Sequence, residues 1–198
     1  MGAQDRAGRQ THDVTPVRPG VLLVAQPEMG DPNFAESVVL VLDVDDEGAL
    51  GVVINRPSAL LVATVFEEWR DLVDAPEVLF RGGPVGADGA LALALLRDSE
   101  QVPQGFRPVV GRLGVLDLET PTDLVETALS RLRIFAGYAG WGPGQLEDEI
   151  AEGAWYVVPS RPEDPFGVEA EGLGRAVLRR QPGELAWHST RPADSGLN

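Results

Sequence analysis

Ser37-Val38-Val39-Leu40-Val41-Leu42-Asp43-Val44-Asp45-Asp46-Glu47-Gly48-Ala49-Leu50-Gly51-Val52-Val53-Ile54 is two β-branched runs of strand length around a polar connection. Branching at Cβ restricts χ1 and suits a pleated strand. The connection Asp43–Gly48 is polar and closes on a glycine, so the spacing predicts an antiparallel hairpin of strands 37–42 and 49–54. Upstream, Val21–Ala25 reads as another strand. Downstream, Asn55-Arg56-Pro57 places polar groups at the end of the second hairpin strand.

Farther out, Val62, Val65, Phe66 and Trp69 fall at helical spacing and predict a helix over 62–73. Glu77–Phe80, Ala90–Leu96 and Leu113–Leu118 read as strands. Thr120-Pro121-Thr122-Asp123 has the makings of a helix start: a capping hydroxyl, proline at the first position and an acid in the first turn. Leu124, Val125, Ala128, Leu129 and Leu132 then predict one apolar stripe of a helix over 120–133. Ile134–Ala139 is expected as a strand. A short helix opened by Pro143 follows, with Leu146 and Ile150 on one face and Gly153 ending it. Ala154–Val158 returns as a strand, and Glu169–Arg180 as a weaker helix holding Gly172 and Gly174. Strands outnumber helices and the hairpins are antiparallel, which makes the expected class α+β.

The chain has 198 residues, enough for one domain, and residues 20–190 are read as that domain. Residues 1–19 and 191–198 are polar, Pro- and Gly-containing tails, expected to be mobile. A chain of this size buries about 70% of its unfolded surface without staples. Cysteine is absent, so thiol nucleophiles, thiolate metal sites and disulfides are excluded. All 16 basic residues are arginine, which excludes Schiff-base and P-loop lysines. With 31 acids the formal charge is −15, which repels phosphate backbones and anionic lipid. The longest aliphatic run, Ala90–Leu96, is far short of a membrane span, and the N-terminal residues lack an apolar signal core. The cytoplasm is the expected location.

Asp43, Asp45, Glu47 and Gly48 match the start of a calcium loop, but the bidentate acid expected six residues after the glycine is Ile54. No metal and no cofactor are expected. Ser–His hydrolysis lacks a base, since only His12 and His188 exist, in or near the tails, and no nucleophile-elbow motif is present. Gly137-Tyr138-Ala139-Gly140-Trp141-Gly142-Pro143-Gly144-Gln145 is a glycine-rich turn between strand and helix. Pro143 removes an amide donor, and Glu147, Asp148 and Glu149 would repel a phosphate. It is either a close backbone approach or a site for a neutral or cationic group walled by Trp141 and Tyr138. Arg81-Gly82-Gly83-Pro84 is a second glycine turn. Asn55, Arg56 and Arg81 together could hold a carboxylate through the arginine fork; alternatively, Arg56 and Arg81 pair with the acids near Asp31 or Glu149. Trp69 and Trp155 are expected in the core. Arg131 and Arg133 end the expected helix 120–133, but the next helix is acidic, so direct nucleic-acid binding is not expected.

Three stretches together resemble one family: Val21 to Phe34 leading into Ser37–Leu40 and Gly48–Pro57; Arg81-Gly82-Gly83-Pro84-Val85; and Gly137 to Ile150 closed by Trp155. The chain is similar over about residues 20–180 to the YqgE/AlgH family of bacterial proteins. The resemblance implies a strongly curved, barrel-like, mostly antiparallel sheet flanked by helices. It implies no reaction, since the family has no established biochemical activity. The transcriptional-regulator label of some members comes from a genetic link to alginate expression. Many relatives carry a Glu-His pair in the hairpin turn where this chain has Asp43-Val44. The matching signature residues are Asp31, Pro32, Phe34, Ser37, Asn55, Pro57, Gly82, Gly83, Pro84, Gly137, Tyr138, Trp141, Gln145, Leu146, Glu149 and Trp155.

From these readings the candidate ligand- or partner-binding residues are Asp31, Ser37, Asn55, Arg56, Arg81, Gly82, Gly83, Tyr138, Trp141, Gln145 and Glu149. The leading expectation is a non-enzymatic binding or regulatory module that engages a protein partner or small molecule. The alternatives are an indirectly acting transcriptional regulator, or an enzyme with Glu149 or Asp31 as general base and Arg81 as anion holder.

Overall fold

The computed structural model describes residues 15–189. His12, the expected C-terminal tail and all but residues 15–19 of the expected N-terminal tail lie outside that range. The predicted hairpin forms: β2 (Val38–Asp45) pairs antiparallel with β3 (Gly48–Val53), with a register shift between Val41 and Asp43. Both faces of β2 are covered, since Val38, Leu40 and Leu42 face one apolar cluster and Val39 and Val41 another. That double burial explains why the sequence there is a continuous run rather than an alternation.

Around the hairpin, β1 (Val21–Ala25) pairs with β2 and with β10 (Trp155–Pro159), both antiparallel. On the other side β3 pairs with the end of β9 (Leu129–Trp141). The rest of β9 carries β6 (Val85–Leu96) on one flank and β5 (Val78–Arg81) on the other. β8 (Leu113–Leu116) and β7 (Phe106–Val110) extend from β6, and β4 (Pro57–Leu61) pairs with β5. The result is one ten-stranded sheet, curled but not closed, antiparallel except for β5 on β9. Among the described residues four short helices accompany it: α1 (Val62–Val65), α2 (Gln145–Ala151), α3 (Leu173–Arg179) and α4 (Glu184–His188). The α+β class and the curved sheet implied by the resemblance are both present.

Three apolar clusters hold these layers. Leu22, Leu40, Ile54, Phe80, Leu93 and Phe135 pack against Val177 and Leu178 of α3. Trp69, Leu96, Leu116, Leu132 and Ile134 form a second cluster under the 62–73 segment. Val39, Val53, Trp141, Leu146 and Trp155 form the third, between the sheet and α2. Trp69 and Trp155 are both buried, as expected.

Several elements differ from the sequence reading. Thr120–Asp123 does start a turn, but only a 3₁₀ turn at Thr122–Leu124, and by Leu129 the chain is already in β9. The long pairing with β6 overrides local helix preference. Arg133, on the inward face beside Phe135, hid the period-two pattern that would have revealed a strand. The helix expected over 62–73 is α1 followed by a 3₁₀ turn at Glu67–Trp69. β4, β7 and α4 had no counterpart in the reading. The helix expected over 169–180 starts only after Gly172, which takes the left-handed conformation.

Candidate functional site

The most specific motif, Gly137 to Ile150, closes an aromatic assembly. Leu146 of α2 inserts into the third cluster and sets the helix so that Glu149 points back at the sheet. Glu149 Oε2 accepts the indole N–H of Trp141 at 2.9 Å and that of Trp155 at 2.8 Å. Its Oε1 accepts Gln145 Nε2–H at 2.9 Å, while Gln145 Oε1 accepts the Gly142 amide at 3.1 Å. Phe34 stacks on Trp141 with centroids 5.8 Å apart and meets Trp155 edge-on at 5.5 Å. Buried indole N–H groups need an acceptor, and Glu149 serves two of them. Gln145, Glu149 and Trp141 are therefore joined to one another, with both carboxylate oxygens engaged.

Asp31, Ser37, Asn55 and Arg56 meet at the loop entering β2. Asp31 Oδ1 accepts the Asn33 amide at 2.8 Å, and its carbonyl accepts the Phe34 and Ala35 amides. Asn55 bridges the loop with both ends of its amide: Oδ1 accepts Val38 N–H at 2.8 Å and Nδ2 donates to Glu36 O at 3.0 Å. Between them, Glu36 is held at φ 59, a left-handed conformation that a non-glycine residue adopts at a cost. Arg56 donates to Asn33 O at 2.5 Å and Ala35 O at 2.7 Å. Ser37 is fully buried and its hydroxyl has no hydrogen-bond partner among the described residues. The loop is thus fastened to the end of β3 by two neighbouring side chains.

Arg81 stands apart. Its amide donates to Arg56 O at 2.8 Å, which brings the two arginines together, and its side chain is exposed. Neither guanidinium has a carboxylate in ion-pair contact among the described residues. The pairing expected with Asp31 or Glu149 is not formed, because Asp31 closes its own turn and Glu149 is taken by indoles. Burial and the Arg81 charge lower the pKa of Arg56, while Asp31 and Glu36 act in the opposite direction.

Gly82 and Gly83 mark a crossing of backbones. A Cβ on Gly82 would lie 2.2 Å from Gly137 O, and one on Gly83 2.2 Å from the Tyr138 carbonyl. Only glycine allows that approach, and the backbone filling the space is the chain's own. Tyr138 and Trp141 do not wall one site. Three residues apart on β9, they part: Trp141 enters the third cluster, while Tyr138 lines a groove with Gly86, Asp88, Gly89, Ala90 and Leu91. No group of three His, Asp or Glu residues suited to a metal ion occurs among the described residues.

Sequence reasoning missed an internal arginine clamp. Arg133 is buried, lies 4.1 Å from the Phe80 ring centroid and donates to Pro165 O, Gly167 O and Ala75 O at 2.7, 3.1 and 2.9 Å. Burial, aided by Arg131, pulls its pKa down to about 10, against the pull of Asp74. Arg131 pairs with Asp74 at 2.6 Å and donates to Phe166 O at 2.9 Å. Arg180 grips Asp164 through both terminal nitrogens. Arg131 and Arg133, expected at a helix end, tie the 164–167 turn to the sheet, and Arg180 ties it to the end of α3.

Known proteins repeat both the sequence and the fold. The family model described as DUF179, AlgH-like, matches residues 22–186. A UPF0301 protein of Streptomyces coelicolor is 54% identical over 182 residues, covering 90% of this chain and 94% of that protein. A UPF0301 protein of Mycobacterium tuberculosis is 43% identical over 185 residues, covering 92% and 91%. The crystal structure of a Corynebacterium diphtheriae protein superposes with a TM-score of 0.85 at 31% identity, over 91% of this chain and 95% of that one. The solution structure of the AlgH protein from Pseudomonas aeruginosa, a UPF0301 protein, superposes with a TM-score of 0.65 at 31% identity, over 87% and 93%. With the family model spanning nearly all of the described residues and relatives this close in sequence, the chain belongs to the AlgH-like (YqgE/AlgH, UPF0301) family.

Proposed function

We propose that this chain is a non-enzymatic cytoplasmic binding module that recognises a carboxylate-bearing partner or small molecule at Arg81 and Arg56. One observation carries the reading: in a chain of charge −15, two arginines are joined backbone to backbone, and among the described residues neither guanidinium has a carboxylate in ion-pair contact. Arg81 is exposed at the end of β5, and its planar fork matches a carboxylate. Arg56, fixed by two carbonyls, gives the site a rigid second charge. A regulatory role through such a partner fits better than direct DNA contact, because Arg131 and Arg133 are spent inside the fold and the surface charge opposes phosphate. The enzyme alternative loses support where Glu149 has both oxygens occupied by its own chain. No helix among the described residues is long and apolar enough to cross a membrane.

The test is an NMR titration with an acetylated aspartate amide and with succinate. Saturable shifts at residues 55–57 and 81–83, lost in Arg81→Ala and kept in Arg70→Ala, are expected. Equal shifts in wild type and Arg81→Ala would contradict the reading.

A further inference from the structure

β5, β9 and β6 lie side by side, and their register puts Arg81, Ala136 and Ala90 in one row. Past Ala90, β6 departs from β9. Val85 pairs with Tyr138 and Ala90 with Ala136, so four residues of β6 are set against one of β9. This excursion turns on Gly86 at φ 58, whose added Cβ would lie 3.0 Å from Tyr138 Cε1, so the phenol ring lies against that glycine. The space between is a groove of about 280 Å³, with Tyr138, Asp88 and Leu91 as walls and Gly86, Gly89 and Gly137 among its lining residues.

Two groups in that groove are unspent. Tyr138 makes no ring contact or side-chain hydrogen bond among the described residues, and Asp88 has no ion-pair partner there. An aromatic face beside a carboxylate, with no cation among the lining residues, is complementary to a guanidinium. The ring quadrupole attracts the cation, and the carboxylate accepts two parallel N–H groups. We propose that the groove receives an arginine side chain presented by a protein partner. Arginine suits it better than lysine because the weakly hydrated planar fork can stack and pair at once. The groove lies open along an exposed stretch of β6, where a free amine would meet few walls but a partner chain could lie on the glycine floor. The net charge of −15 steers a basic segment toward this surface. This extends the reading of the chain as a partner-binding module but uses neither Arg56 nor Arg81.

The probe is the peptide acetyl-Gly-Arg-Gly-amide, with its neutral citrulline counterpart and free agmatine, titrated into the full-length protein by NMR. The arginine peptide should give saturable shifts at residues 86–91 and 137–138. Affinity should fall at least tenfold with citrulline and in Asp88→Asn and Tyr138→Leu, each checked for a native spectrum, and stay unchanged in Arg70→Ala. No saturation, equal binding of citrulline, or full affinity in both variants would overturn the assignment. Tighter binding of agmatine than of the peptide would overturn the partner-borne source. Arginine binding without aspartate binding would leave this inference standing and remove the carboxylate reading; the reverse result would do the opposite.

Discussion

At Glu149, three N–H donors from side chains converge on one carboxylate, two of them buried indoles. A residue that looks catalytic by type is thereby a hub of packing. The two roles separate by substitution. Glu149→Ala leaves two buried donors without an acceptor, at about 1–3 kcal/mol each, and should lower Tm by several degrees at about 2–4 °C per kcal/mol. Glu149→Gln keeps an oxygen toward the indoles and should cost far less. Thermal melts with tryptophan emission as the readout check this, and equal destabilisation by both variants would contradict it. Gly82 and Gly83 make the same point about backbone. Gly82→Ala drives a methyl against Gly137 O and Val52, beyond the usual overpacking cost of about 1–3 kcal/mol. Little folded protein should be recovered by size-exclusion chromatography.

Elements show where the sequence was legible. The 38–53 hairpin, β1 and α2 could be read because apolar runs, turn residues and a proline–glycine frame agreed at each. The 134–139 part of β9 was legible too, but its start at 129–133 was not, because the inner face there carries Arg133 and the helix-like beginning is overruled by pairing with β6. The aromatic motif was visible as a motif, yet nothing in its spacing says that Glu149 reaches across to Trp155. Arg133 is the element-scale test. Arg133→Met keeps contact with Phe80 but leaves three carbonyls without their donor and should destabilise by about 3–5 kcal/mol. Hydrogen exchange should rise first at 164–167 and α3. Its pKa of about 10 lies below that of a free arginine, so burial opposes the charged form. That cost is present below pH 10 and recedes only as pH climbs above about 10 toward the free-arginine value. The Tm difference between wild type and Arg133→Met should therefore stay constant from pH 6 to 9, and a trend across that window would count against the assignment. Asn55→Ala, likewise, should loosen the 31–37 loop to proteolysis and cost about 1–3 kcal/mol. Its effect on binding is thus not a clean readout, whereas that of Arg81 is.

Across the whole molecule, a curled sheet with three apolar clusters consumes most of the signature residues. The strand ends keep Arg81, and the β6–β9 groove keeps Tyr138 and Asp88. Binding at Arg81 should weaken with ionic strength, since the contact is exposed and screened within about 8–10 Å. Raising salt from 50 to 300 mM should reduce the aspartate affinity several-fold. Such chemistry was legible in outline, because arginines at glycine turns in an acidic chain are conspicuous. Which of them remained unpaired depended on contacts as distant in sequence as Asn33 with Arg56. The division between packing and recognition is tested most directly by one titration of acetyl-aspartate amide into wild type, Arg81→Ala and Glu149→Gln. The account predicts equal affinity for wild type and Glu149→Gln and at least a tenfold loss in Arg81→Ala. Unchanged binding in Arg81→Ala, or loss of binding in a fully folded Glu149→Gln, would contradict it.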